Sequence, residues 1–399
     1  MTNKGDFTQR NVAIDILRAL TMLLMVFVND FWSVKGVPQW MLHGKANEDF
    51  LGLSDVVFPV FLFVVGMSIP FAIERRFSKG FPELDTLMHI LSRTFALLIM
   101  GVFTVNTEAG ILRELGMSMP VFKVLMVAAF FMVWNVYPKT DKPVRHLFTV
   151  LKVAGVLILI YLAVVFKDAK GGIFQARWWG ILGIIGWTYF VCATVYLFVR
   201  DNITKVFFFW LGFIVLCMVK SSELIPKGSF FNALTGILHL ESGASAALTM
   251  GGILFSLVVT KYSHVTVRKK VIFLVSTVAA LLIAAAITNQ FWIISKIKAT
   301  PPWVLYSCAV ATGVYGLLQW LVSAGKASWF NIIKPAGTAT LTCYIIPHIL
   351  YSIFFGFLSF SLPDWMKEGA FGLIKCACFS FLCIGVTALF ERFNIKLKV

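Results

Sequence analysis

Charge is scarce in this chain: only 14% of its 399 residues are Asp, Glu, Lys or Arg, whereas soluble domains carry about 25%. Acidic residues are the scarcest, with 19 Asp and Glu against 35 Lys and Arg. Hydrophobic residues make up 59% of the chain, and its mean hydropathy is +0.85. This composition excludes an ordinary soluble domain. It predicts an all-α, polytopic integral membrane protein, because helices satisfy their own backbone hydrogen bonds in lipid.

Several motifs of known chemistry are also absent. The chain has no HExxH zinc motif, no GxSxG nucleophile elbow, no Walker phosphate loop and no pair of CxxC motifs. The seven cysteines all fall in apolar segments, which indicates small buried residues rather than disulfides or a metal site. Basic residues are not interleaved with aromatic residues as in a nucleic-acid groove. The net charge of +16 therefore predicts basic cytoplasmic loops and no nucleic-acid partner.

Long apolar segments account for most of the sequence. A segment of about 17 to 25 residues is long enough to cross a bilayer as a helix. Eleven or twelve such spans are predicted, in a single transmembrane domain over residues 1–399: 12–32, 55–74, 86–107, 119–137, 147–166, 178–199, 203–219, 244–261, 270–290, 301–323, 335–357 and 370–391. The stretch 220–243 is predicted to hold an interfacial or re-entrant piece.

Lysine and arginine placement predicts the orientation of these spans. Basic residues concentrate in the segments that share a side with the two termini, above all in ERRFSKG (74–80) and VRKK (267–270). Cytoplasmic loops collect Lys and Arg, so both termini are predicted to be cytoplasmic. The charged start has no small-residue cleavage site and is interpreted as a cytoplasmic tail. The loop that carries His43 then lies on the outer face.

A polar stripe follows one face of the first span. Asp15, Arg18, Met22, Met25 and Asn29 recur at spacings of three and four residues, which places them on one side of a helix. Ionisable groups within a span are costly in lipid, so each is a functional hypothesis. A local pair of Asp15 and Arg18 that docks the helix is the alternative interpretation.

The remaining polar residues sort by depth. Near the predicted cytoplasmic side lie Arg18, Arg93, Lys152, Lys334, Gly337 and Thr338. Near mid-membrane lie Tyr344 and His348. The outer side holds Asn29, Asp30, Asp55, Asn289, Gln290, Ser295 and Lys296. This pattern predicts a cationic entrance for an anionic ligand from the cytoplasm, although snorkelling toward the interface is a competing explanation for Lys152 and Lys334.

His43 and Asp55 are candidates for a catalytic pair. A histidine oriented by a carboxylate on its other ring nitrogen is the arrangement that a general base needs. Two simpler interpretations stay open. His43 is then a solvated loop residue, and Asp55 is a cap for the second span, a position that Asp prefers.

The residues around this pair match a known pattern. RNVAIDILRALTMLLMVFVND (10–30), the outer histidine and SDVVFPVFLFVVGMSI (54–69) resemble the heparan-α-glucosaminide N-acetyltransferase family. The chain is most similar to its bacterial branch, which includes sugar-utilisation membrane proteins proposed as N-acetylglucosamine transporters. A weaker similarity extends to three later segments, ESGASAALTMGGIL (241–254), NQFWIISKIKATPPWVL (289–305) and PAGTATLTCYIIPH (335–348).

The resemblance implies an activity. Acetyl-CoA binds from the cytoplasm, and its acetyl group passes to an amino sugar or other glycan on the outer face of a bacterial inner membrane. His43 and Asp55 are then the catalytic residues, with no metal. The expected substrate-binding residues are Asn29, Asp30, Asn289, Ser295, Lys296 and His348. The expected acetyl-CoA-binding residues are Arg18, Arg93, Lys334, Gly337, Thr338 and Tyr344.

Two other functions fit the same polar residues. One is an inner-membrane transporter of N-acetylglucosamine or a related amino sugar, and the other is a catalytically silent partner in envelope assembly. Transporters often contain internal repeats, and none is evident in this sequence. The aromatic-rich spans are compatible with a homodimer as well as with surrounding lipid.

Overall fold

The computed structural model describes residues 11–109, 117–138, 141–168, 171–200, 202–224 and 242–398, with isolated described positions at Phe7, Ser229, Ala233, 235–236 and Leu240. Within these ranges the regular structure is helical, and β-pairing is limited to isolated bridges. Eleven helices are long and apolar enough to cross a membrane, by length and composition. This confirms the predicted polytopic helix bundle.

The helices follow the predicted apolar segments. In chain order they are α1 (Val12–Asn29), α2 (Leu53–Ser78), α3 (Glu83–Ala109), α4 (Met119–Trp134), α5 (Lys142–Val165), α6 (Ile181–Val199), α7 (Ile203–Ser221), α8 (Ala244–Lys261), α9 (Val267–Asn289), α10 (Pro301–Ser323), α11 (Phe330–Thr338), α12 (Thr340–Tyr351) and α13 (Gly369–Arg392). The predicted fourth span, 119–137, corresponds to α4, which has 16 residues and is the short apolar helix of the bundle.

The predicted span 335–357 is interrupted instead of continuous. Helix α11 ends at Thr338, and Ala339 adopts a non-helical backbone conformation before α12 begins. A π-helical turn, Ser352–Phe357, continues α12. Pro335 and Pro347 lie inside the two helices, where each removes a backbone donor. Most of the predicted interfacial piece, 220–243, lies outside the described residues.

Helices α2 and α8 form the closest crossing in the core. A Cβ atom built on Gly66 would lie 1.9 Å from the backbone oxygen of Thr249, and one built on Gly252 would lie 2.0 Å from that of Phe63. Small residues let membrane helices approach until their backbones touch. Helices α1, α6 and α10 pack around this pair, whereas α5 and α9 lie at the periphery with mostly exposed side chains.

The start of α1 and the C-terminal segment lie at the same end of the bundle, because Asn11 and Lys396 line one cavity. The C-terminal segment is anchored there: the backbone N–H of Lys396 donates to Asn135 Oδ1 at 2.7 Å, and that of Leu397 donates to Thr342 Oγ1 at 3.0 Å. The loop between α1 and α2, with His43, follows the opposite end of α1. The cytoplasmic location of both termini stays a prediction from the basic residues.

Candidate active site

His43 and Asp55 are in direct contact. His43 Nδ1 lies 2.7 Å from Asp55 Oδ1, and the other carboxylate oxygen accepts from the backbone N–H groups of Gly44 at 2.8 Å and Gly52 at 3.3 Å. Asp55 is the third residue of α2, so its bond to Gly52 also caps that helix. The cap and the histidine partner are therefore the same side chain. When Nδ1 donates to Asp55, the Nε2 atom of the neutral His43 ring can accept a proton or a hydrogen bond.

The loop that carries His43 is held by the segment between α9 and α10. Asp49 Oδ1 accepts from the backbone N–H of Ile294 at 2.7 Å, and its Oδ2 accepts from Asn289 Nδ2 at 3.4 Å. Ser295 Oγ donates to the carbonyl of Ala46 at 3.2 Å. Asn289 and Ser295 were both predicted to bind substrate, and in the structure they hold this loop through hydrogen bonds.

Buried contacts fix the start of α2 under the same loop. Trp303 Nε1 donates to the carbonyl of Asp55 at 2.9 Å, and Ser54 Oγ donates to that of Met41 at 2.5 Å. The Asp55 side chain is 2% exposed and that of His43 is 51% exposed. A buried carboxylate that anchors a half-exposed imidazole holds the ring in place while leaving it open to a ligand.

Lys296 is the third ionisable group at this site. Its Nζ lies 3.4 Å from His43 Nδ1 and donates to the carbonyl of Ser54 at 3.3 Å. Burial lowers the pKa of the Lys296 ammonium below its usual range, although the nearby Asp55 carboxylate opposes that shift. The amine therefore loses its proton more readily than an exposed lysine does.

A cavity of about 840 Å³ opens beside His43, and we call it the His43 cavity. Asn29, Lys296 and His348 line it, as predicted for substrate-binding residues. Tyr344, predicted to contact acetyl-CoA, lines this cavity too. Its walls also carry the aromatic residues Trp32, Phe58, Trp179, Tyr351 and Phe355. A largely apolar cleft with a few convergent polar groups is typical of a small-molecule site.

Asp30 lies in the wall behind this cavity. Its Oδ2 atom lies 2.8 Å from Lys375 Nζ, and its Oδ1 atom accepts from the Tyr351 hydroxyl at 2.6 Å. Ser33 Oγ bonds to both Asp30 and Lys375. The Asp30 side chain is 2% exposed, so this residue, predicted to bind substrate, ties the end of α1 to α13 and Tyr351.

A second cavity of about 430 Å³ lies at the other end of α1, and we call it the Arg18 cavity. Arg18 bonds to Asp15 Oδ1 at 3.2 Å and to Ser68 Oγ at 2.7 Å, so the predicted local pair is present. Gly337 and Thr338, both predicted near a cofactor, line the same cavity. Arg75 and Lys396 add two further cations.

Two predicted cofactor residues lie apart from this cavity. The Arg93 guanidinium stacks over the Tyr189 ring, 4.7 Å from its centroid, and thereby joins α3 to α6. Lys334 is exposed on α11, one turn before Thr338. Neither lines the Arg18 cavity.

The sequence prediction missed several residues that line the two cavities. Glu108 and Lys123 line the His43 cavity, and Arg75 and Lys396 line the Arg18 cavity. Lys123 carried a usable signal, because it is an ionisable residue inside an apolar helix. Lys396 carried none, since its place depends on how the C-terminal segment folds back. Among the described residues, no group of His, Cys, Asp and Glu side chains is placed to hold a metal ion.

Comparisons with known proteins give two findings. A family model described as a domain of unknown function (DUF5009) matches residues 10–234. The chain is also similar to heparan-α-glucosaminide N-acetyltransferase of Mus musculus, at 31% identity over 142 residues, and of Homo sapiens, at 29% over 126 residues. These matches cover 31% and 28% of this chain and 20% and 18% of the relatives' own lengths. The resemblance predicted from the motifs is confirmed over the aligned part.

Proposed function

We propose that this chain, which belongs to the family described as a domain of unknown function (DUF5009), is an enzyme. It transfers an acetyl group from acetyl-CoA to an amino sugar or another glycan. The similarity to two proteins named as N-acetyltransferases supports the reaction class. The proposed setting is a bacterial inner membrane, with the Arg18 cavity toward the cytoplasm. The observation that best supports the proposal is the 2.7 Å contact between His43 Nδ1 and Asp55 Oδ1, because His43 also lines the large His43 cavity.

His43 is the proposed proton carrier. With Asp55 bound to Nδ1, the Nε2 atom takes a proton from the neutral acceptor amine as its nitrogen bonds to the acetyl carbonyl carbon. The C–S bond breaks, and the same proton passes to the departing thiolate, so the products are the N-acetyl sugar and free thiol. Asp55 holds the ring orientation and stabilises the transient imidazolium.

Two groups in the walls of the His43 cavity suit the developing oxyanion. The Asn29 amide lines the cavity and has no side-chain hydrogen bond among the described residues. The Lys296 amine lies 3.4 Å from His43 Nδ1. Donors placed in a cavity wall stabilise charge that appears in the transition state without reorganising. We assign Asn29 and Lys296 to this role.

The Arg18 cavity is the proposed site for the phosphate groups of acetyl-CoA. Arg18, Arg75 and Lys396 supply cations, and Asn11 and Ser68 supply neutral polar groups. Guanidinium groups bind phosphates in a bidentate manner. From Arg18 to Met25, which lines the His43 cavity, α1 rises about 10 Å. Met22 is buried between them on the same helix, so transfer requires that the packing around it opens.

Acetyl transfer by the purified full chain tests this proposal. Wild-type protein in lipid discs, given acetyl-CoA and glucosamine, is expected to release free thiol and N-acetylglucosamine. The variants His43→Ala and Asp55→Asn are expected to lose about a hundredfold or more of that rate. His264→Ala, at an exposed histidine far along the chain, is the control and keeps the rate. Equal rates in wild type and His43→Ala would remove His43 from the mechanism.

One observation favours a carrier as the second candidate. The interrupted helix serves both cavities, because α11 lines the Arg18 cavity and α12 lines the His43 cavity. Broken helices near the membrane midplane are typical of transporter sites. Uptake of labelled N-acetylglucosamine into vesicles without acetyl-CoA would support the carrier, whereas acetyl transfer without uptake would exclude it.

A further inference from the structure

A group of basic side chains lies around the first part of α3, outside both cavities. Arg76 is near the end of α2, His89 and Arg93 lie one turn apart on α3, and Lys398 belongs to the C-terminal segment. Arg76, Arg93 and Lys398 all lie within electrostatic range of His89. We name these four residues the basic cluster. The basic residues of the sequence predict that this end of the bundle faces the cytoplasm.

Aromatic rings hold the two arginines of the basic cluster in place. The Arg76 guanidinium lies over the Phe81 ring, 4.5 Å from its centroid, and donates to the carbonyl of Asp85 at 3.3 Å. The Arg93 guanidinium lies 4.7 Å from the centroid of the Tyr189 ring. Stacking on a ring face orients a guanidinium and leaves N–H groups at its edge for an anion.

The charge of the basic cluster has no carboxylate partner in the described part of the chain, where none of its four members forms an ion pair with Asp or Glu. Glu83 and Asp85, the acids in the first turn of α3, are exposed. By contrast, Arg200 pairs with Glu74 of α2 at 3.1 Å. Cations without an acidic partner attract an anionic ligand.

Arg93 is the member whose position most needs a partner. It lies about 15 Å along α3 from Glu83, within an apolar helix. A charged side chain inside a span is costly unless it meets a counter-charge, so it marks a site for an anion. Arg93 was expected to bind acetyl-CoA, but it lies outside the Arg18 cavity.

An exposed apolar stripe runs along α3 beside the basic cluster. Its members are spaced four, three and four residues apart, which places them on one face of the helix, and each is 38–68% exposed: Leu84, Met88, Leu91 and Phe95. The exposed surface continues through Ser92 to His89. Arg93 lies at its margin, where α3 meets Tyr189 of α6. In a bilayer this stripe contacts acyl chains.

We propose that the basic cluster binds the headgroup of an anionic phospholipid, whose acyl chains lie along the apolar stripe of α3. Guanidinium groups bind a phosphate through paired N–H donors, and basic pockets between membrane helices on the cytoplasmic side suit anionic headgroups. The stripe favours a lipid over a soluble anion, because only a lipid covers apolar surface. The inference is independent of the proposed acetyl transfer, since the cluster lies outside both cavities.

Native mass spectrometry of the full chain in neutral detergent tests the inference. The protein is titrated with dioleoyl-phosphatidylglycerol or dioleoyl-phosphatidylcholine, which share acyl chains and a phosphate but differ in net charge. Wild type is expected to bind one phosphatidylglycerol about tenfold or more tightly than phosphatidylcholine, because the cluster has cations to spare. Inorganic phosphate is expected not to displace the bound lipid.

Variants then assign that preference to the basic cluster. Arg76→Gln and Arg93→Gln are each expected to weaken phosphatidylglycerol binding about fivefold and leave phosphatidylcholine binding unchanged. Arg93→Lys keeps the charge, so it is expected to retain most of the affinity and to show that the fold is intact. The double variant Arg268→Gln/Lys269→Gln is the matched control, because it removes two exposed cations at the start of α9. It is expected to bind like wild type.

Three outcomes would overturn the lipid site. Equal affinity of wild type for the two lipids would show that the cluster does not select an anionic headgroup. An equal loss in the α9 control would show general attraction by basic residues instead of a site. Displacement of the lipid by inorganic phosphate would assign the cluster to a soluble anion. Each readout measures lipid binding alone, so failure of the acetyltransferase proposal leaves the result unchanged.

Discussion

At the scale of single residues, the candidate site depends on one buried carboxylate with several tasks. Asp55 caps α2 through Gly52, fixes the loop through Gly44 and orients His43. A carboxylate with several hydrogen bonds stays in one rotamer, so it holds the imidazole at a fixed angle to the cavity. Lys296 faces the same pair and offsets the negative charge of Asp55.

Lys296 gives a prediction about pH. Only the neutral amine reacts with an amine-selective acylating reagent, and burial lowers the pKa of Lys296. The labelling rate of Lys296, followed by mass spectrometry, is therefore expected to reach half-maximum at a lower pH than that of a lysine in a short unstructured peptide. In Asp55→Asn the midpoint is expected to fall further, because the carboxylate that stabilises the ammonium is gone. Equal midpoints for Lys296 and the peptide lysine would contradict this description of the site.

At the scale of helices, two features position the site. Gly66 and Gly252 let α2 and α8 touch along their backbones, which sets the position of the helix that begins with Asp55. The break at Ala339 separates α11 from α12, so one apolar segment contributes to cavities at both ends of α1.

The contact between α2 and α8 is testable with a single methyl group. In Gly252→Ala the new Cβ overlaps the Phe63 backbone oxygen, and backbone cannot move aside as a side chain can. The free energy of unfolding is expected to fall by about 1–3 kcal/mol or more, as in other overpacked cores. Thermal denaturation in detergent measures it. Gly212→Ala on α7, where no atom lies within 4 Å of the new methyl group, is the control and melts at or above the wild-type temperature.

At the scale of the whole molecule, two cavities of different character lie at opposite ends of α1. The Arg18 cavity is small and carries three cations with one carboxylate, Asp15. The His43 cavity is about twice as large, and its lining is mainly apolar, with six Phe, Trp and Tyr side chains. This arrangement suits an anionic acetyl donor in the Arg18 cavity and an uncharged or aminated ring in the His43 cavity.

Cysteine labelling tests which side each cavity faces. Lys45, in the His43 loop, and Lys398, near the C-terminus, are both exposed. In a Cys378→Ser background, which removes the exposed native cysteine, Lys45→Cys is expected to react with a membrane-impermeant maleimide in intact cells. Lys398→Cys is expected to react only after permeabilisation, because the basic residues predict cytoplasmic termini. The reverse pattern would invert the proposed direction of transfer.

Residues selected from the sequence fell into three groups in the structure. His43 and Asp55 touch, and Arg18, Gly337 and Thr338 share a cavity, although the chain separates Arg18 from the other two widely. Asp30 ties α1 to α13 in the wall of the His43 cavity, whereas Asn289 and Ser295 hold the loop that carries His43. Arg93 and Lys334 lie outside both cavities, and Tyr344 lies with His43 instead of Arg18. Residue type, spacing and depth identified polar groups and the pairs His43–Asp55 and Asp15–Arg18, but they did not identify which residues of other helices line the same cavity.

The sequence by itself determined most of the segments that form long apolar helices and placed His43 after the end of a polar stripe, but it did not predict the break at Ala339 inside the predicted span 335–357. Hydropathy and charge decide these features residue by residue, because the bilayer acts on each segment separately. The tertiary structure decided which helices are neighbours, and so placed Glu108, Lys123 and Lys296 in the walls of the His43 cavity and Lys396 in the same cavity as Arg18. Lipid is as apolar as the helix surfaces, so hydropathy cannot determine which helices pack together. Close packing at small residues such as Gly66 and Gly252 determines it instead.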